Sequence, residues 1–239
     1  MIIAYDNKYS TATLTATNEN PVYPIENTQD IRLSRLFKTI ADSSVITVNL
    51  GSELPVSAVF IANHDILTGA TITIKGHTTS DFTTPDYSST ITWREGMMYK
   101  LITGTAKQFW QISISNSANF KIGGLFFGVY DTITNTFSHV LSEAVNDTTK
   151  VFTSLSGQTY TDVGYQYKTY DLNFPYFQIA DKTAMNTIMT AVRKRPVYIM
   201  LDESAVTEFE PLYCTIDDLT YSRVYNDFYT TSMKLTEAK

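Results

Sequence analysis

The sequence has few of the residues that catalytic or disulfide-stabilised proteins depend on. It contains one cysteine, Cys214, and three histidines among 239 residues. A single thiol cannot form an internal disulfide or a thiolate-rich zinc site, so the fold has to be held together by packing. No two histidines have metal-ligand spacing, and the chain has neither a G-x-S-x-G nucleophile elbow nor a phosphate-binding glycine loop. We therefore expect a protein that is not an enzyme and has no cofactor.

Positive charge and long apolar runs are also scarce. The chain has 18 Lys and Arg residues against 24 Asp and Glu residues, which gives a formal net charge of −6. A nucleic-acid-binding protein needs a basic surface, so we expect no nucleic-acid partner. No window approaches the 18 or more apolar residues of a membrane-spanning helix, and the N-terminus does not resemble a secretory signal. These absences predict a chain without a membrane span that is made in a cytoplasm.

The residues that are abundant favour β-structure. There are 36 threonines, 16 tyrosines and 13 phenylalanines, and β-branched and aromatic side chains suit a pleated sheet. Ile46 to Leu50 alternates apolar and polar residues, as a half-buried strand does. Val56 to Ile61 is apolar on both faces, which indicates a central strand, and Gly51 to Pro55 predicts a turn between the two runs. Further alternating runs occur at 71–75, 90–94 and 110–115, and Ile122 to Val129 closes the series through Gly123-Gly124. We predict a jelly-roll-like β-sandwich over residues 1–130.

The second half of the chain has a different pattern. Thr159 to Phe174 alternates aromatic and polar residues, and Val197 to Leu201 predicts a buried strand. Between them, apolar residues at helical spacing predict a helix from Ala180 to Lys194 that ends before Pro196. Two more strands are predicted near 212–216 and 227–235. We therefore predict a smaller α+β domain over 131–239, with the helix packed on a sheet.

Candidate contact residues lie in the loops of the predicted sandwich. His64 follows a predicted strand and is flanked by Asp65, while Phe82 and Tyr87 lie in a polar turn segment. Aromatic rings beside hydrogen-bonding groups are typical of sugar sites, so these three are our candidate ligand or partner contacts. Trp93 is better explained by core packing.

Loop acids leave two alternatives open, a glycosidase and a calcium site. A glycosidase needs two facing carboxylates, and the sequence brings no pair together. Candidates for such a pair are Asp81, Asp86, Glu95, Asp202, Glu203, Glu208, Asp217 and Asp218. Asp6, Asn7 and Asp30 are ligand types for calcium but lack EF-hand order, so we predict no metal.

A connector between the first strands carries a resemblance to a known family. Tyr23-Pro24-Ile25-Glu26-Asn27 is followed by Asp30 and by Arg32-Leu33-Ser34-Arg35-Leu36-Phe37. With the strands that follow, up to Phe109-Trp110-Gln111-Ile112, this order resembles the galactose-binding-like (discoidin-like) domain of bacteriophage tail proteins. Pro24 fixes its own φ angle, and Arg32 and Arg35 can pair with Asp30 or Glu26. We predict that Pro24, Asp30, Arg32 and Arg35 form a scaffold rather than a ligand site.

The resemblance implies a structural role in a virion. It covers about residues 1–130, while the second domain looks similar to ring-forming domains of tail-tube and distal-tail proteins. The implied function is a component of the tail tip or baseplate, forming a homo-oligomeric ring with tube, hub and tape-measure proteins as partners. The alternative is an adhesin that binds a glycan on the host surface.

Overall fold

The computed structural model describes residues 1–134, 141–201, 210–225 and 227–238, and this part of the chain is mainly β with one α-helix. The strands are β1 (Ile2–Asn7), β2 (Thr13–Ala16), β3 (Phe37–Lys38), β4 (Ser44–His64), β5 (Thr71–His77), β6 (Tyr87–Thr90), β7 (Met98–Ser115), β8 (Lys121–Thr132), β9 (Leu141–Asp147), β10 (Lys150–Thr153), β11 (Thr159–Asp162), β12 (Gln166–Gln178), β13 (Val197–Met200), β14 (Leu212–Tyr225) and β15 (Phe228–Glu237). The helix, α1, spans Ile179–Val192. Among the described residues, no helix has both the length and the apolar character needed to cross a membrane.

The chain divides into two compact units. The sandwich unit comprises Ile2–Thr132 and Tyr198–Leu212, and the helix unit comprises Met1, Ile133–Val197 and Tyr213–Lys239. The predicted division into 1–130 and 131–239 differs from these units at Met1, at 131–132 and at 198–212. At the start of 198–212, β13 pairs with β1, and the Tyr198 ring stacks on Phe60 at a centroid distance of 4.9 Å.

Strand β4 is the centre of the sandwich unit. It pairs with β7 from Ser44↔Ile114 to Ile61↔Met98, and its second half also pairs with β8. Both faces of Val56–Ala62 are buried apart from Ser57, which confirms the predicted central strand. The sequence predicts a turn between two strands at Gly51 to Pro55, and this prediction is wrong. The segment is a bulge inside one strand of 21 residues, because β7 continues as the partner on both sides of it.

The two halves of β4 lie in two layers that enclose one core. The first half pairs with β2, and the second half pairs with β8, which in turn pairs with β1. Ile46 and Val48 from the first half share a buried cluster with Val59 and Ile61 from the second. The predicted fold class, mainly β with a sandwich, is confirmed. The prediction of a strand at 90–94 is wrong, because β6 ends at Thr90. Trp93 lies beyond β6 and donates its indole N–H to the Ile66 carbonyl at 2.7 Å.

The helix unit is a sheet covered by α1. Strand β12 pairs with β9 on one side and with β15 on the other, and β15 pairs with β14. Met185 of α1 and Phe174 and Phe177 of β12 line one small void, which places the helix on the sheet as predicted. The single run predicted from Thr159 to Phe174 is two strands, β11 and β12.

Candidate functional site

The connector between β2 and β3 contains a 3-10 turn followed by a group of ion pairs. Pro24 precedes a 3-10 turn over Ile25–Gln29, and the Ile25 side chain is buried. Asp30 then accepts hydrogen bonds from Arg32 Nε at 2.9 Å and Nη2 at 2.7 Å, and Arg35 lies 3.4 Å from the same carboxylate. The two arginines and Asp30 therefore form one ion-pair cluster within the connector.

The connector also packs tightly on β8. A Cβ atom at Gly123 would overlap the carbonyl oxygen of Leu33, and a Cβ at Gly124 would lie 2.6 Å from Leu33 Cδ2. The Asn63 side chain donates to the same Leu33 carbonyl at 2.6 Å. The Gly123-Gly124 pair thus allows a close approach of backbone rather than a phosphate contact. This placement favours a scaffold role for the connector.

Substituting Asp30 by asparagine should destabilise the connector in a pH-dependent way. Hydrogen bonds from Arg32 hold the pKa of Asp30 well below its usual range. A lowered pKa in the folded state means that this stabilisation is present above about pH 4 and is lost as the pH falls further. We expect Asp30→Asn to lower the free energy of unfolding at pH 7 by up to about 1 kcal/mol, with a smaller difference at pH 3. Urea titrations at both pH values measure this.

The control for that prediction is Asp42→Asn. Asp42 is exposed, and its substitution should leave the unfolding free energy within about 0.5 kcal/mol of the wild type at both pH values. An equal loss for the two variants, or a loss for Asp30→Asn that does not depend on pH, would contradict the role of the ion-pair cluster.

The three predicted contact residues lie at opposite ends of the sandwich unit. His77 pairs with Phe109, and the chain after it carries Phe82 in a loop and Tyr87 at the start of β6, where Tyr87 pairs with Gly76. At the C-terminal end of β7, Ser115 pairs with Thr71. The chain then turns into β8, where Ile122 pairs with His64. The six residue steps of β7 from Phe109 to Ser115 span about 20 Å. Phe82 and Tyr87 therefore share one end, and His64 does not join them.

His64 lies in a partly buried position beside an ordered loop. Burial lowers the pKa of its imidazole, and this effect outweighs the opposing influence of the Gly96 backbone, Asp65 and the Arg94 backbone. The neighbouring Asp65 carboxylate accepts a hydrogen bond from the Lys121 backbone N–H at 2.6 Å. The pKa of His64 is thus lowered, and the carboxylate next to it is already hydrogen-bonded within the loop.

A polar cluster forms around Asp86, the residue before Tyr87. Lys107 Nζ donates to Asp86 at 2.6 Å and lowers the pKa of that carboxyl, and His77 Nε2 lies 3.7 Å from the same carboxylate. The Tyr87 ring is half-buried against Trp110 at a centroid distance of 5.8 Å. We call His77, Phe82, Asp86, Tyr87 and Lys107 the loop cluster. It combines aromatic faces with charged hydrogen-bonding groups.

The residues considered for calcium have other partners. Asp6 pairs with Lys8 at 2.5 Å, and the Asn7 side chain accepts from the Tyr9 backbone N–H at 3.1 Å. Asp30 is held by the two arginines of the connector. Across the described ranges, no group of three or more His, Cys, Asp or Glu side chains is placed to hold a metal ion.

The acids of the helix unit border a shallow groove on the sheet. It has a volume of about 460 Å³ and is formed by Ser142, Asp171, Leu172, Asn173, Asp218, Ser232, Met233 and Lys234. Its lining contains no aromatic ring, unlike the loop cluster. Asp217 points elsewhere, because it accepts from the hydroxyls of Thr215 and Thr236. Of the other acidic candidates, Asp202, Glu203 and Glu208 lie outside the described residues.

Cys214 is a core residue and should be unreactive. It is fully buried, and burial together with the nearby Glu237 and Asp217 carboxylates raises the pKa of its thiol to about 12. Because the thiolate is the reactive form, we expect alkylation of the native chain at pH 8 to be at least about 100-fold slower than in urea. Timed iodoacetamide labelling followed by mass spectrometry measures this. A Ser80→Cys variant, exposed in the sandwich unit, should label rapidly in the native state, whereas equal rates for native and unfolded Cys214 would contradict the burial.

A two-stranded ribbon in the helix unit exposes many apolar side chains. Strands β10 and β11 pair with each other, with Phe152 opposite Tyr160, and every residue of both strands is exposed. The ribbon continues the β9–β12 pair, since Thr148 donates its backbone N–H to Tyr165 at 3.1 Å. We call residues 148–165 the arm. Its exposed apolar side chains are Val151, Phe152, Leu155, Tyr160, Val163 and Tyr165.

Sequence reasoning does not single out the arm as a surface. Phe152 and Tyr160 are residue types typical of buried strands, but within the described residues no further strand pairs with β10 or β11. A sequence signal does exist in hindsight: Gly157 and Gly164 bracket β11, and Gly157 adopts the positive φ of a tight turn. Those residues predict a hairpin, but they do not tell which of its faces is covered.

Comparison with known proteins gave structural similarity only. No protein-family model matches the chain, and no curated protein matches it. Similar solved structures include a family 32 carbohydrate-binding module of C. perfringens NanJ in complex with galactose, with 18% identity and a TM-score of 0.43, covering 55% of this chain and 100% of that one. A Streptococcus pneumoniae fucose-binding module has 11% identity and a TM-score of 0.45, covering 52% and 98%. A chitosan-binding module from Paenibacillus sp. IK-5 has 16% identity and a TM-score of 0.43, covering 52% and 99%.

These three structures are carbohydrate-binding modules, and none of them is described as a phage tail protein. Each match takes in about half of the chain. The phage-tail part of the resemblance, with its ring and its virion partners, stays a prediction from the sequence.

Proposed function

We propose that this chain is a non-catalytic structural protein that acts by assembling with further copies of itself, as a component of a phage tail tip or baseplate. The observation that carries this proposal is the arm, where Leu155 and Val163 are 111% and 81% exposed and Phe152 is 54% exposed. A ribbon of two strands is marginally stable in water by itself, and a contiguous exposed apolar patch marks an interaction surface. The arm is therefore built to be covered by another molecule.

The sandwich unit supports the proposal through its connector. Asp30 with Arg32 and Arg35, and Leu33 against Gly123, fix this segment on the surface of the unit. It is also the segment whose order resembles phage tail proteins. A rigid sandwich with a fixed connector and a projecting arm suits a subunit of an assembly better than it suits an enzyme.

The proposal is tested by the mass of the full chain in solution and by its place in the virion. Sedimentation equilibrium should give an oligomer of defined stoichiometry, larger than the 26.9 kDa chain. Antibodies raised against the chain should label one end of the tail in purified virions. A monomer at every concentration, or absence of the protein from virions, would overturn the proposal.

A second candidate function is carbohydrate binding by the sandwich unit. The loop cluster favours it, because Asp86, Lys107 and His77 offer hydrogen-bonding groups at the end of the unit that carries the aromatic residues Phe82 and Tyr87. Sugar sites combine an apolar face with a few such polar groups. In the tail-tip setting the ligand would be a glycan of the host surface.

A glycan array probed with the full chain tests the second candidate. Binding should be lost in Phe82→Ala and in Lys107→Ala, and it should be kept in Lys121→Ala, whose ion pair with Asp65 lies at the other end of the unit. A null array, or equal binding by all three variants, would exclude the loop cluster as a sugar site.

A further inference from the structure

We propose that the arm of one copy binds a second apolar patch on the next copy, so that the chain assembles head to tail. This inference rests on the proposed self-assembly and names the two surfaces that carry it. The second patch, which we call the tip, lies where the β14–β15 hairpin meets the end of β12. Its members are Tyr176, Ile179, Val224, Tyr225 and Phe228, which are 42–70% exposed.

The tip is one continuous surface of the helix unit. Tyr225 pairs with Phe228 across the hairpin, and Phe228 also pairs with Gln178 of β12. Gln178 directly precedes Ile179, the first residue of α1. Lys182 of α1 lies 4.1 Å above the ring of Tyr229, next to Phe228. The tip therefore presents aromatic residues whose backbone is held by the sheet.

The arm and the tip lie at opposite ends of the same sheet. Strand β12 begins at Gln166, where it pairs with Asp147 beside the arm, and it ends at Gln178, where it pairs with Phe228 beside the tip. Twelve residues of strand correspond to about 40 Å. The arm extends the β9–β12 pair away from the tip. To cover the tip of its own helix unit, the arm would therefore have to fold back over the sheet.

The exposed aromatic areas of the two patches match. Phe152, Tyr160 and Tyr165 of the arm are 54%, 57% and 62% exposed. Tyr176, Tyr225 and Phe228 of the tip are 69%, 70% and 42% exposed. With about 200 Å² for each ring, each patch offers on the order of 350 Å² of aromatic surface. With the aliphatic side chains and backbone of both patches added, the total buried area approaches the roughly 1,200 Å² that a specific interface buries.

Two unlike patches on one molecule give a heterologous contact. Such a contact leaves a free arm at one end and a free tip at the other, so each added copy can bind a further copy until the ring closes. Within the described chain, β10 and β11 pair only with each other, and β9 has a strand partner on one side, β12. The outer edges of the arm can therefore add backbone hydrogen bonds to the side-chain contact.

The test uses two full-length variants and their mixture. The arm variant carries Phe152→Ser and Leu155→Ser, and the tip variant carries Tyr225→Ser and Phe228→Ser. All four side chains are exposed, so circular dichroism should show folded proteins. In sedimentation velocity, each variant alone should be monomeric, with the dissociation constant raised at least about 30-fold over the wild type.

The mixture separates head-to-tail assembly from every other arrangement. The arm variant keeps a working tip and the tip variant keeps a working arm, so an equimolar mixture should form a dimer of twice 26.9 kDa and nothing larger. A control with Leu67→Ser, an exposed apolar residue of the sandwich unit, should assemble like the wild type.

Each contrary result has a definite meaning. If the tip variant alone still dimerises, the arms bind each other and the head-to-tail contact is overturned. If the wild type assembles and both variants assemble equally well, the inference fails while the proposed self-assembly stands. If the wild type is monomeric throughout and binds another tail protein or a glycan through the arm, both the inference and the proposed self-assembly fail.

Discussion

Replacing Gly128 by alanine is expected to lower the free energy of unfolding of the sandwich unit by about 3 kcal/mol or more. Gly128 lies in β8 and pairs with Ala58 on one side and with Asn7 on the other. A Cβ atom there would overlap the backbone carbonyl oxygen of Asp6 and lie 2.7 Å from Phe126 Cζ. A flexible side chain could move aside, but a carbonyl held in the β1–β8 ladder cannot. The overlap can only be relieved by moving β1, and forced overpacking of this kind costs 1–3 kcal/mol or more.

A second glycine separates this steric effect from backbone strain. Gly69 has a φ of +89° and no atom within 4 Å of an added Cβ, so Gly69→Ala introduces strain without a clash. We expect Gly69→Ala to cost about 1–2 kcal/mol, clearly less than Gly128→Ala. Soluble yield and urea unfolding followed by circular dichroism measure both variants. If the two lose the same free energy, close packing between β1 and β8 does not explain the glycine.

Much of the fold could be predicted because the burial pattern of a strand follows from the order of apolar and polar residues along a short stretch of sequence. The alternation at Ile46 to Leu50 and the doubly apolar run at Val56 to Ile61 both predicted the observed burial. The helix predicted from Ala180 to Lys194 is α1, shifted by one or two residues, and Met185, Ile188 and Val192 are buried as its spacing required. These patterns are local, so one sequence is enough to reveal them.

What could not be predicted depends on which strands become neighbours. Gly51 to Pro55 has the composition of a turn, yet β7 pairs on both sides of it and makes it a bulge. Segment 198–212 belongs to the sandwich unit because of a pairing with β1, almost 200 residues away along the chain. No local signal in the sequence carries such pairings.

The same reason limits the prediction of the candidate sites. Phe82 and Tyr87 share one end of the sandwich, while the strand order places His64 at the other. The arm is not indicated by the sequence because its apolar residues are typical of a buried strand, whereas in the described part of the chain β10 and β11 pair only with each other. The ion pairs of the connector could be predicted because Asp30, Arg32 and Arg35 are close in sequence.

Truncation of Trp110 to alanine should be the most damaging change within the core itself. The side chain is fully buried and contacts the rings of Tyr87 and Phe127 at centroid distances of 5.8 and 6.0 Å. It also lies directly on the backbone of Gly76, where an added Cβ would come within 2.9 Å of the indole. Removing a buried Trp costs about 3–5 kcal/mol because the cavity left behind collapses only in part. Urea unfolding followed by far-UV circular dichroism should show this loss.

The matched variant Trp110→Phe tests how the indole is accommodated. Its Nε1 atom is buried and has no hydrogen-bond partner among the described residues. An unsatisfied buried N–H costs about 1–3 kcal/mol, so phenylalanine should offset part of its lost volume by removing this group. We expect Trp110→Phe to lose less than about 1.5 kcal/mol, a small share of the loss in Trp110→Ala. If the phenylalanine variant were as unstable as the alanine variant, the shape of the indole against Gly76 and Tyr87, rather than the filled volume, would determine the stability of this core.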